Sequence, residues 1–244
     1  MFRHRGATRT FTHNLQLASL LSFVAGMVNV AGFLAVQRLT TNVTGHFAFF
    51  VDEVFKLNFL QGVVYFLYIF FFFIGSFFSS FLVEWSYKRN GNYVYVLPAF
   101  IESIILFSVA FLGEYVQATL PDAIAFALLF AMGLQNSLVT TISNAVVRTT
   151  HLTGLFTDLG IELSQLFFFK QEEQRKRLYR SIRLRMAIIG FFFIGGVLGG
   201  VAYAAMQLHV LVIGSAALLV GITFDSFKLR LLLLHRKYGN LKGN

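Results

Sequence analysis

Residues 186–224 read MAIIGFFFIGGVLGGVAYAAMQLHVLVIGSAALLVGITF, a run without a single Lys, Arg, Asp or Glu. A helix rises about 1.5 Å per residue, so roughly 20 apolar residues cross a hydrocarbon core of about 30 Å. The run is nearly twice as long as one crossing requires, and we therefore expect it to fold back on itself. Gln207 and His209 are its most polar members and stand near its middle, which predicts a tight turn there.

Four stretches upstream of this run also have the length and apolar character of a membrane crossing. Three carry no formal charge, and one contains a single acid, Glu102. The four stretches are residues 15–37, 57–83, 92–113 and 123–147. Together with the two arms of the folded-back run they predict an all-α integral membrane protein with six transmembrane helices. The composition agrees, because 57% of the 244 residues are apolar and only 13% are charged, about half the charged share of a soluble domain.

Most basic residues fall in clusters that six crossings place on one side of the membrane. They precede the first crossing, follow the second at Lys88 and Arg89, fill residues 170–185 and close the chain. Lys and Arg are favoured in short cytoplasmic loops, so this pattern predicts that both termini are cytoplasmic. It also accounts for the net charge of +9 without a nucleic-acid partner. We expect the basic segment 170–185 to contact anionic lipid, with binding of a protein partner as the alternative.

Two connections have the pattern of short amphipathic helices. In residues 45–57 the apolar side chains recur at the spacing of one helical face, and residues 154–169 show a similar pattern. Each is too short and too acidic for a comfortable crossing. The sequence leaves open whether these two helices are interfacial, re-entrant or spanning.

The chain contains an internal repeat. TTNVTGHF at 40–47 matches TTHLTGLF at 149–156. Upstream, Gly26-x-x-Asn29 matches Gly133-x-x-Asn136 at a slightly shorter offset, which allows a short insertion between the helix and the turn motif.

The repeat predicts one membrane domain over residues 1–244, built from repeat 1 at about 13–113 and repeat 2 at about 122–228. Each repeat holds three crossings and one short amphipathic helix. Three is an odd number, so the second repeat enters the membrane in the opposite sense to the first. Inverted repeats are common in secondary transporters, whose substrate sites lie near the membrane midplane.

Five polar side chains within the predicted crossings are candidates for a substrate pathway. They are Asn29, Gln135, Asn136, Thr140 and Glu102. The amides offer donors and acceptors to a polar solute, but side chains of this kind also hold helices together. An intramembrane carboxylate commonly lines a water-filled path and exchanges protons, or else it is protonated and bonds a neighbouring helix. Pro98 precedes Glu102 by one helical turn and is expected to loosen that helix.

Two further sets of residues have a predicted role at helix starts and helix contacts. Thr44-Gly45 and Thr153-Gly154 precede the amphipathic helices, where the positive end of a helix can bind an anion, although Thr is also an ordinary helix cap. The paired motifs Gly195-x-x-x-Gly199 and Gly196-x-x-x-Gly200 allow close packing of another backbone, within the chain or in a homodimer.

Four segments of the chain resemble the YoaK family of bacterial inner-membrane proteins, which is classed as a domain of unknown function. The segments are AGMVNVAGF at 25–33, VTG at 43–45, AMGLQN at 131–136 and LTG at 152–154. The resemblance covers nearly the whole chain and implies six helices in the bacterial inner membrane, with no assigned chemistry. The family pattern has Asp where this chain has Asn29, and Asn where it has His46.

These observations predict a secondary transporter or permease for a small polar or anionic solute. The alternative is a membrane scaffold or assembly partner that transports nothing. We expect no enzymatic activity, since no nucleophile, base and oxyanion donor assemble in the sequence. We also expect no metal and no cofactor, because the His residues lack a shared ligand spacing, there is no Cys, and no glycine-rich nucleotide loop is present.

Overall fold

A computed structural model describes residues 10–90 and 94–224, and the described residues are helices joined by short turns. The helices are α1 (Phe11–Val36), α2 (Thr44–Phe55), α3 (Phe59–Asn90), α4 (Val96–Gln117), α5 (Pro121–Ser143), α6 (Leu152–Phe168) and α7 (Glu172–Met206), followed by a 3₁₀ turn at Gln207–Val210 and helical residues 211–224. Residues 1–9 and 225–244 lie outside the described residues. They hold two of the predicted basic clusters and the end of the second predicted repeat.

Five helical segments among the described residues are long and apolar enough to cross a membrane. They are Phe11–Val36, Phe59–Arg89, Val96–Gln117, Pro121–Ser143 and Glu172–Phe224. The prediction of an all-helical protein with several membrane-spanning helices is therefore confirmed. The fifth segment is 53 residues long and contains the 3₁₀ turn.

The chain doubles back at this turn. Gln207 has a φ of 50°, in the left-handed region, which ends α7 abruptly. A Cβ on Gly199 would lie 3.0 Å from the Cα atom of Met27, and a Cβ on Gly214 would lie 3.7 Å from the sulfur of Met27. Gly199 and Gly214 are at nearly equal distances along the chain from Gln207, so the two arms return past the same residue of α1.

Helices α1 and α7 pack with their backbones in contact. A Cβ on Gly26 would lie 2.0 Å from the carbonyl oxygen of Phe192, and a Cβ on Gly195 would lie 2.0 Å from that of Phe23. Only a residue without a side chain fits at these two glycine positions.

The same two helices run in parallel. Gly195 lies beside Phe23, and one helical turn later Gly199 lies beside Met27. Residue numbers therefore rise together along the contact, as expected if α1 and α7 cross the membrane in the same direction.

Helices α3 and α5 make the same kind of contact. A Cβ on Gly133 would lie 2.2 Å from the carbonyl oxygen of Phe72, and one on Gly75 would lie 2.1 Å from that of Phe130. Gly133 is the counterpart of Gly26 in the repeated Gly-x-x-Asn motif. The first crossing of each predicted repeat therefore packs against the second crossing of the other.

Helices α1 and α5 also end in the same way. Gln37 and Asn144 are both in the left-handed conformation, with φ values of 52° and 56°. Their backbone N–H groups donate to the carbonyl oxygens of Phe33 and Thr140, respectively. The left-handed residue closes the last helical turn and reverses the direction of the chain.

Two features differ from the sequence-based expectation. Pro98 does not loosen the helix before Glu102, because α4 begins at Val96 and Pro98 lies in its first turn, where its missing N–H breaks no helical hydrogen bond. The basic segment 170–185 does not simply precede the fifth crossing. Helix α7 begins at Glu172 and is 35 residues long, about 52 Å, so most of the segment is helical and continuous with the crossing.

Candidate functional site

The segment after α1 returns along the helix that it has just left. The hydroxyl of Thr40 donates to the carbonyl oxygen of Val28 at 3.1 Å, and the hydroxyl of Thr41 donates to Oδ1 of Asn29 at 2.6 Å. Asn29 lies two helical turns before the end of α1, a distance of about 10 Å along the helix. The short helix α2, which begins at Thr44, therefore starts well inside the depth of α1.

The second half of the chain repeats this arrangement after α5. The hydroxyl of Thr150 donates to Oδ1 of Asn136 at 2.9 Å. Nε2 of Gln135 donates to the hydroxyl of Thr149 at 3.1 Å and to the carbonyl oxygen of Leu21 at 3.0 Å. Asn136 lies two helical turns before the end of α5. Helix α6 therefore also starts about 10 Å inside the helix that precedes it.

The short helices run back along the helices that follow them. The ring of His46 lies 4.5 Å from that of Tyr68, and the ring of Phe49 lies 5.3 Å from that of Tyr65, so α2 is antiparallel to α3. In the same way, α6 is antiparallel to α7. Each short helix thus begins inside the bundle and ends beside the start of its partner, and its positive end points towards the interior.

The predicted helix-start residues lie at these two interior ends. The backbone N–H of Gly45 donates to Oδ1 of Asn42 at 3.2 Å, and a Cβ on Gly45 would lie 2.4 Å from Cδ1 of Leu39. A Cβ on Gly154 would lie 2.3 Å from the ring of His151. Thr44 and Thr153 do not occupy the N-cap positions, which belong to Val43 and His151, and neither of these two caps forms a side-chain hydrogen bond.

The amides predicted for the pathway have hydrogen-bond partners. Oδ1 of Asn29 and of Asn136 accepts from a Thr of the returning segment, and Nδ2 of Asn136 donates to the carbonyl oxygen of Met132 at 2.8 Å. Gln135 is fully buried, and its Oε1 has no hydrogen-bond partner in the described part of the chain. The side chain of Thr140 is partly exposed. These amides hold the returning segments in place, whatever else they do.

Glu102 lies apart from the amides. It is fully buried, and neither carboxylate oxygen has a hydrogen-bond partner among residues 10–90 and 94–224. The next residue, Ser103, donates to the carbonyl oxygen of Ser215 at 3.1 Å, while Ser215 donates to that of Ser103 at 2.9 Å. This reciprocal pair places Glu102 where α4 meets the helical residues 211–224.

The four predicted packing glycines divide into two sets. Gly195 and Gly199 face the backbone of α1. Gly196 and Gly200 instead line an apolar groove of about 600 Å³ beside Val30. The other side chains of this groove are Leu152, Phe156, Ile189, Phe192, Phe193, Val197 and Val201.

Sequence reasoning missed one polar cluster, which we name the Arg38 cluster; it consists of Arg38, His46, Tyr68 and Asp122. Nε of Arg38 donates to the Tyr68 hydroxyl at 3.2 Å and lies 3.5 Å from Oδ1 of Asp122. The hydroxyl of Tyr68 donates to the same carboxylate, and Tyr68 is fully buried. The signal in the sequence was Arg38 itself, a cation in a connection that the charge pattern places outside.

His46 closes the inner side of this cluster. Its Nε2 donates to the carbonyl oxygen of Leu39 at 2.5 Å, and its Nδ1 has no partner in the described part of the chain. Burial is the largest influence on the ring and lowers the pKa of His46 below its usual value, although the hydrogen bond to Leu39 opposes this shift. The ring is therefore neutral at neutral pH.

A second charged network ties α6 to α7 at the opposite end of the bundle. Arg185 contacts Asp158 at 2.8 Å and Glu162 at 2.9 Å, and Ser181 donates to Glu162 at 2.6 Å. Within the described ranges, no group of three or more His, Asp or Glu side chains is placed to hold a metal ion.

The apolar helices, the interior ends of α2 and α6 and the few buried polar groups define a multi-pass α-helical membrane protein. A family model described as "Protein of unknown function (DUF1275)" matches residues 17–224, and the chain belongs to this family. It is 27% identical over 194 residues to the UPF0700 transmembrane protein YoaK of Bacillus subtilis (strain 168), covering 76% of this chain and 82% of that protein. The resemblance to the YoaK family is thereby confirmed. No solved structure gives a significant match.

Proposed function

We propose that this protein is a secondary transporter or permease for a small polar or anionic solute, and not an enzyme. In this proposal six transmembrane helices form two inverted repeats in the bacterial inner membrane, with both termini in the cytoplasm. The sixth crossing begins with the helical residues 211–224. The observation that carries the proposal is the pair of short helices, α2 and α6, that begin inside the bundle.

The recurring contacts support the inverted repeat. The Thr41–Asn29 and Thr150–Asn136 hydrogen bonds join residues that occupy matching positions of the repeated sequence motifs. The glycine contacts of α1 with α7 and of α5 with α3 follow the same relation. Three crossings separate the start of α1 from that of α5, so the second set of contacts has the opposite direction across the bilayer.

The interior ends of α2 and α6 supply the proposed solute site. Each helix start carries partial positive charge, and the two starts point inwards from opposite faces. Discontinuous helices of this kind hold anionic substrate groups near the midplane of many transporters. Gly45 and Gly154 let the side chains of Leu39 and His151, respectively, pack against these helix starts. The adjoining turns of α1 and α5 carry the predicted pathway residues Asn29, Asn136, Gln135 and Thr140.

Two packed units provide for alternating access in this proposal. Helices α1 and α7 form one unit through their glycine contacts, and α3 and α5 form the other. Rocking of one unit against the other would expose the site to each face in turn. Glu102 is the group we propose for proton coupling, since it is buried beside the α4–Ser215 contact and has no partner among the described residues.

Flux into proteoliposomes tests the proposal. The wild-type protein is expected to transport at least one member of a panel of small organic and inorganic anions and neutral polar solutes. Glu102→Gln should remove the dependence of flux on a proton gradient, and Asn136→Ala should reduce flux. Glu173→Gln is the matched control, because its side chain is 80% exposed. Absence of flux for every solute, or normal proton-coupled flux in both variants, would contradict the proposal.

The groove beside Gly196 and Gly200 favours the second candidate, a scaffold that assembles as a homodimer. The groove is open and entirely lined by apolar residues and glycine. Small-xxx-small surfaces let two helices approach closely. For a scaffold, Gly200→Leu should lower the molar mass of the purified protein in light scattering from dimer to monomer, and no solute should be transported.

A further inference from the structure

We infer that Arg38 binds an oxyanion, of the carboxylate or sulfate type, that reaches the protein from the end at which α1 stops. This inference rests on the proposed function and names the class of its substrate. It is carried by the Arg38 cluster, whose guanidinium is accessible from water and is only loosely held by its own carboxylate, Asp122.

The guanidinium of Arg38 is incompletely used. The ion pair with Asp122 involves one nitrogen of Arg38, Nε, and one carboxylate oxygen, Oδ1, which lie 3.5 Å apart. Charge-assisted hydrogen bonds between a guanidinium and a carboxylate are typically about 2.7–2.9 Å long. Nη1 donates to the carbonyl oxygen of Gln37 at 3.3 Å. Among residues 10–90 and 94–224 no hydrogen bond is made by Nη2. The side chain is 35% exposed, so an oxyanion can approach the unused edge of the fork.

Asp122 does not depend on Arg38 for its position. Its carboxylate accepts from the buried hydroxyl of Tyr68, and it lies in the first turn of α5 after Pro121, where a negative charge is favoured by the helix. A solute oxyanion can therefore take the place of Asp122 at Arg38 while Asp122 keeps its other contacts. In the empty protein, Asp122 acts as an internal competitor.

The position of Arg38 connects water with the proposed site. Arg38 lies just after the end of α1, at the start of the segment that leads down to Thr44 and the interior end of α2. A solute released by the guanidinium would meet the positive end of that helix next.

Among the described residues of the other half, the matching positions form no such cluster. At the offsets of the helix contacts, Tyr68 corresponds to Ile188, Asp122 to Leu15 and His46 to Leu155. Ile188 and Leu155 are buried apolar residues. The oxyanion site is therefore specific to one end of the bundle, and a merely structural tie would be expected in both halves.

The test is anion-dependent melting of the full-length protein in detergent, with sodium sulfate and sodium acetate titrated against sodium chloride at constant ionic strength. Wild type should be stabilised by at least one of the two oxyanions beyond the general effect of salt. Arg38→Gln should abolish that increment, because the binding group is gone. Asp122→Asn should increase the apparent affinity about two- to fivefold, the contribution of a partly exposed ion pair.

The opposite signs of the two substitutions are decisive. If Arg38→Gln and Asp122→Asn change oxyanion binding in the same direction, or if Arg38→Gln leaves it unchanged, the inference is wrong. If Arg38→Gln fails to fold, Arg38→Lys replaces it as the test variant. Arg38→Lys keeps the positive charge but lacks the planar guanidinium, so it should fold and bind the oxyanions more weakly than wild type does. Arg185→Gln is the control at the opposite end, and its oxyanion increment should equal that of wild type.

The same measurement separates this inference from the proposed transport. If Arg38→Gln weakens and Asp122→Asn strengthens oxyanion binding, but the protein transports no solute, the oxyanion site is supported and the proposed transport function is wrong. If the protein transports neutral solutes but binds neither sulfate nor acetate, the proposed transport function is supported and the oxyanion site is wrong.

Discussion

The two short helices of this protein follow turns that are held by matching Thr–Asn hydrogen bonds, but the helices themselves are held by different chemistry. Helix α2 lies on α3 through aromatic rings, with Phe49 5.3 Å from Tyr65. Helix α6 lies on α7 through ion pairs, with Asp158 2.8 Å from Arg185. At the offsets of the repeat, Phe49 corresponds to Asp158 and Tyr65 to Arg185, so a ring pair and an ion pair occupy matching places.

This difference shows which features the architecture requires. The glycines at the helix contacts and the Thr–Asn hydrogen bonds recur in both halves, since they determine how closely the backbones approach and where the short helices begin. The side chains that cover the short helices differ, because any pair that fills the space and satisfies its polar atoms holds them. The predictions below test that division.

Substitution of the contact glycines should have the largest effect. Gly26→Val and Gly133→Val should each lower stability by more than about 3 kcal/mol, because a Cβ at these positions would lie 2.0 and 2.2 Å from a backbone carbonyl oxygen that cannot move aside. Thermal unfolding in detergent measures the loss. Gly160→Val is the control, since outside its chain neighbours and the backbone of its own helix no atom lies within 4 Å of its Cβ position. Collapse of only one of the two variants would show that the contacts are not equivalent.

The ion pairs of the second half should be the next most sensitive feature. Arg185→Gln should cost about 2 kcal/mol, because it leaves the 13%-exposed carboxylate of Glu162 without a cationic partner, with only the Ser181 hydrogen bond remaining. Tyr65→Leu, at the matching place in the first half, should cost about 1 kcal/mol through lost ring contacts. Melting curves at low and high NaCl distinguish the two, since salt should reduce the difference between wild type and Arg185→Gln only. Equal salt dependence of both variants would contradict the comparison.

The paired Thr–Asn hydrogen bonds should contribute equally and modestly. Double-mutant cycles with Asn29→Ala and Thr41→Val, and with Asn136→Ala and Thr150→Val, should give coupling energies of about 0.6 kcal/mol each. Chemical unfolding in mixed micelles supplies the four free energies of each cycle. A coupling in one half and none in the other would indicate that only one returning segment is held in this way.

His46 should have the smallest effect, visible only in acid. Burial lowers the pKa of His46, whereas in the unfolded chain the ring titrates near about 6.5. Its contribution to stability is therefore fully present above about pH 6.5 and is lost as the pH falls towards the pKa of the folded state. His46→Leu, which introduces the residue of the matching position Leu155, should melt with less acid sensitivity between about pH 7.5 and 5.5. An unchanged pH profile would rule out this contribution.

Much of the fold could be predicted because lipid permits few structures. The sequence contains long apolar runs, of which the third holds one charged residue, and two amphipathic stretches. Helix boundaries predicted from them are close to several of those observed; for example, the predicted crossing 123–147 corresponds to the helix Pro121–Ser143. The Gly-x-x-Asn and Thr-Thr-x-x-Thr-Gly motifs were also identified from the repeat. The sequence did not predict that α7 begins at Glu172, because the part of this helix before residue 186 is rich in charged residues and lacks the apolar run by which a crossing is recognised.

The site was harder to predict than the fold. For Asn29 and Asn136 the sequence left open a solute-binding role or a helix-holding role, and the structure adds that their side-chain oxygens accept hydrogen bonds from Thr41 and Thr150. The sequence left open whether α2 and α6 are interfacial, re-entrant or spanning, because no local sequence pattern indicates that the chain returns along the preceding helix. The Arg38 cluster joins residues from the end of α1, from α2, from α3 and from the start of α5, and no periodicity connects them.

The sequence by itself determined that this is a helical membrane protein of the YoaK family, and it contains an internal repeat of short motifs. Hydrophobic length, charge placement and self-similarity are properties of the chain alone. Only the tertiary structure decided that α1 packs on α7 and α3 on α5, that the short helices begin inside the bundle, and that Arg38 meets Asp122. These features depend on backbones that approach each other through distant glycines, and such contacts are fixed by packing in three dimensions rather than by any local pattern.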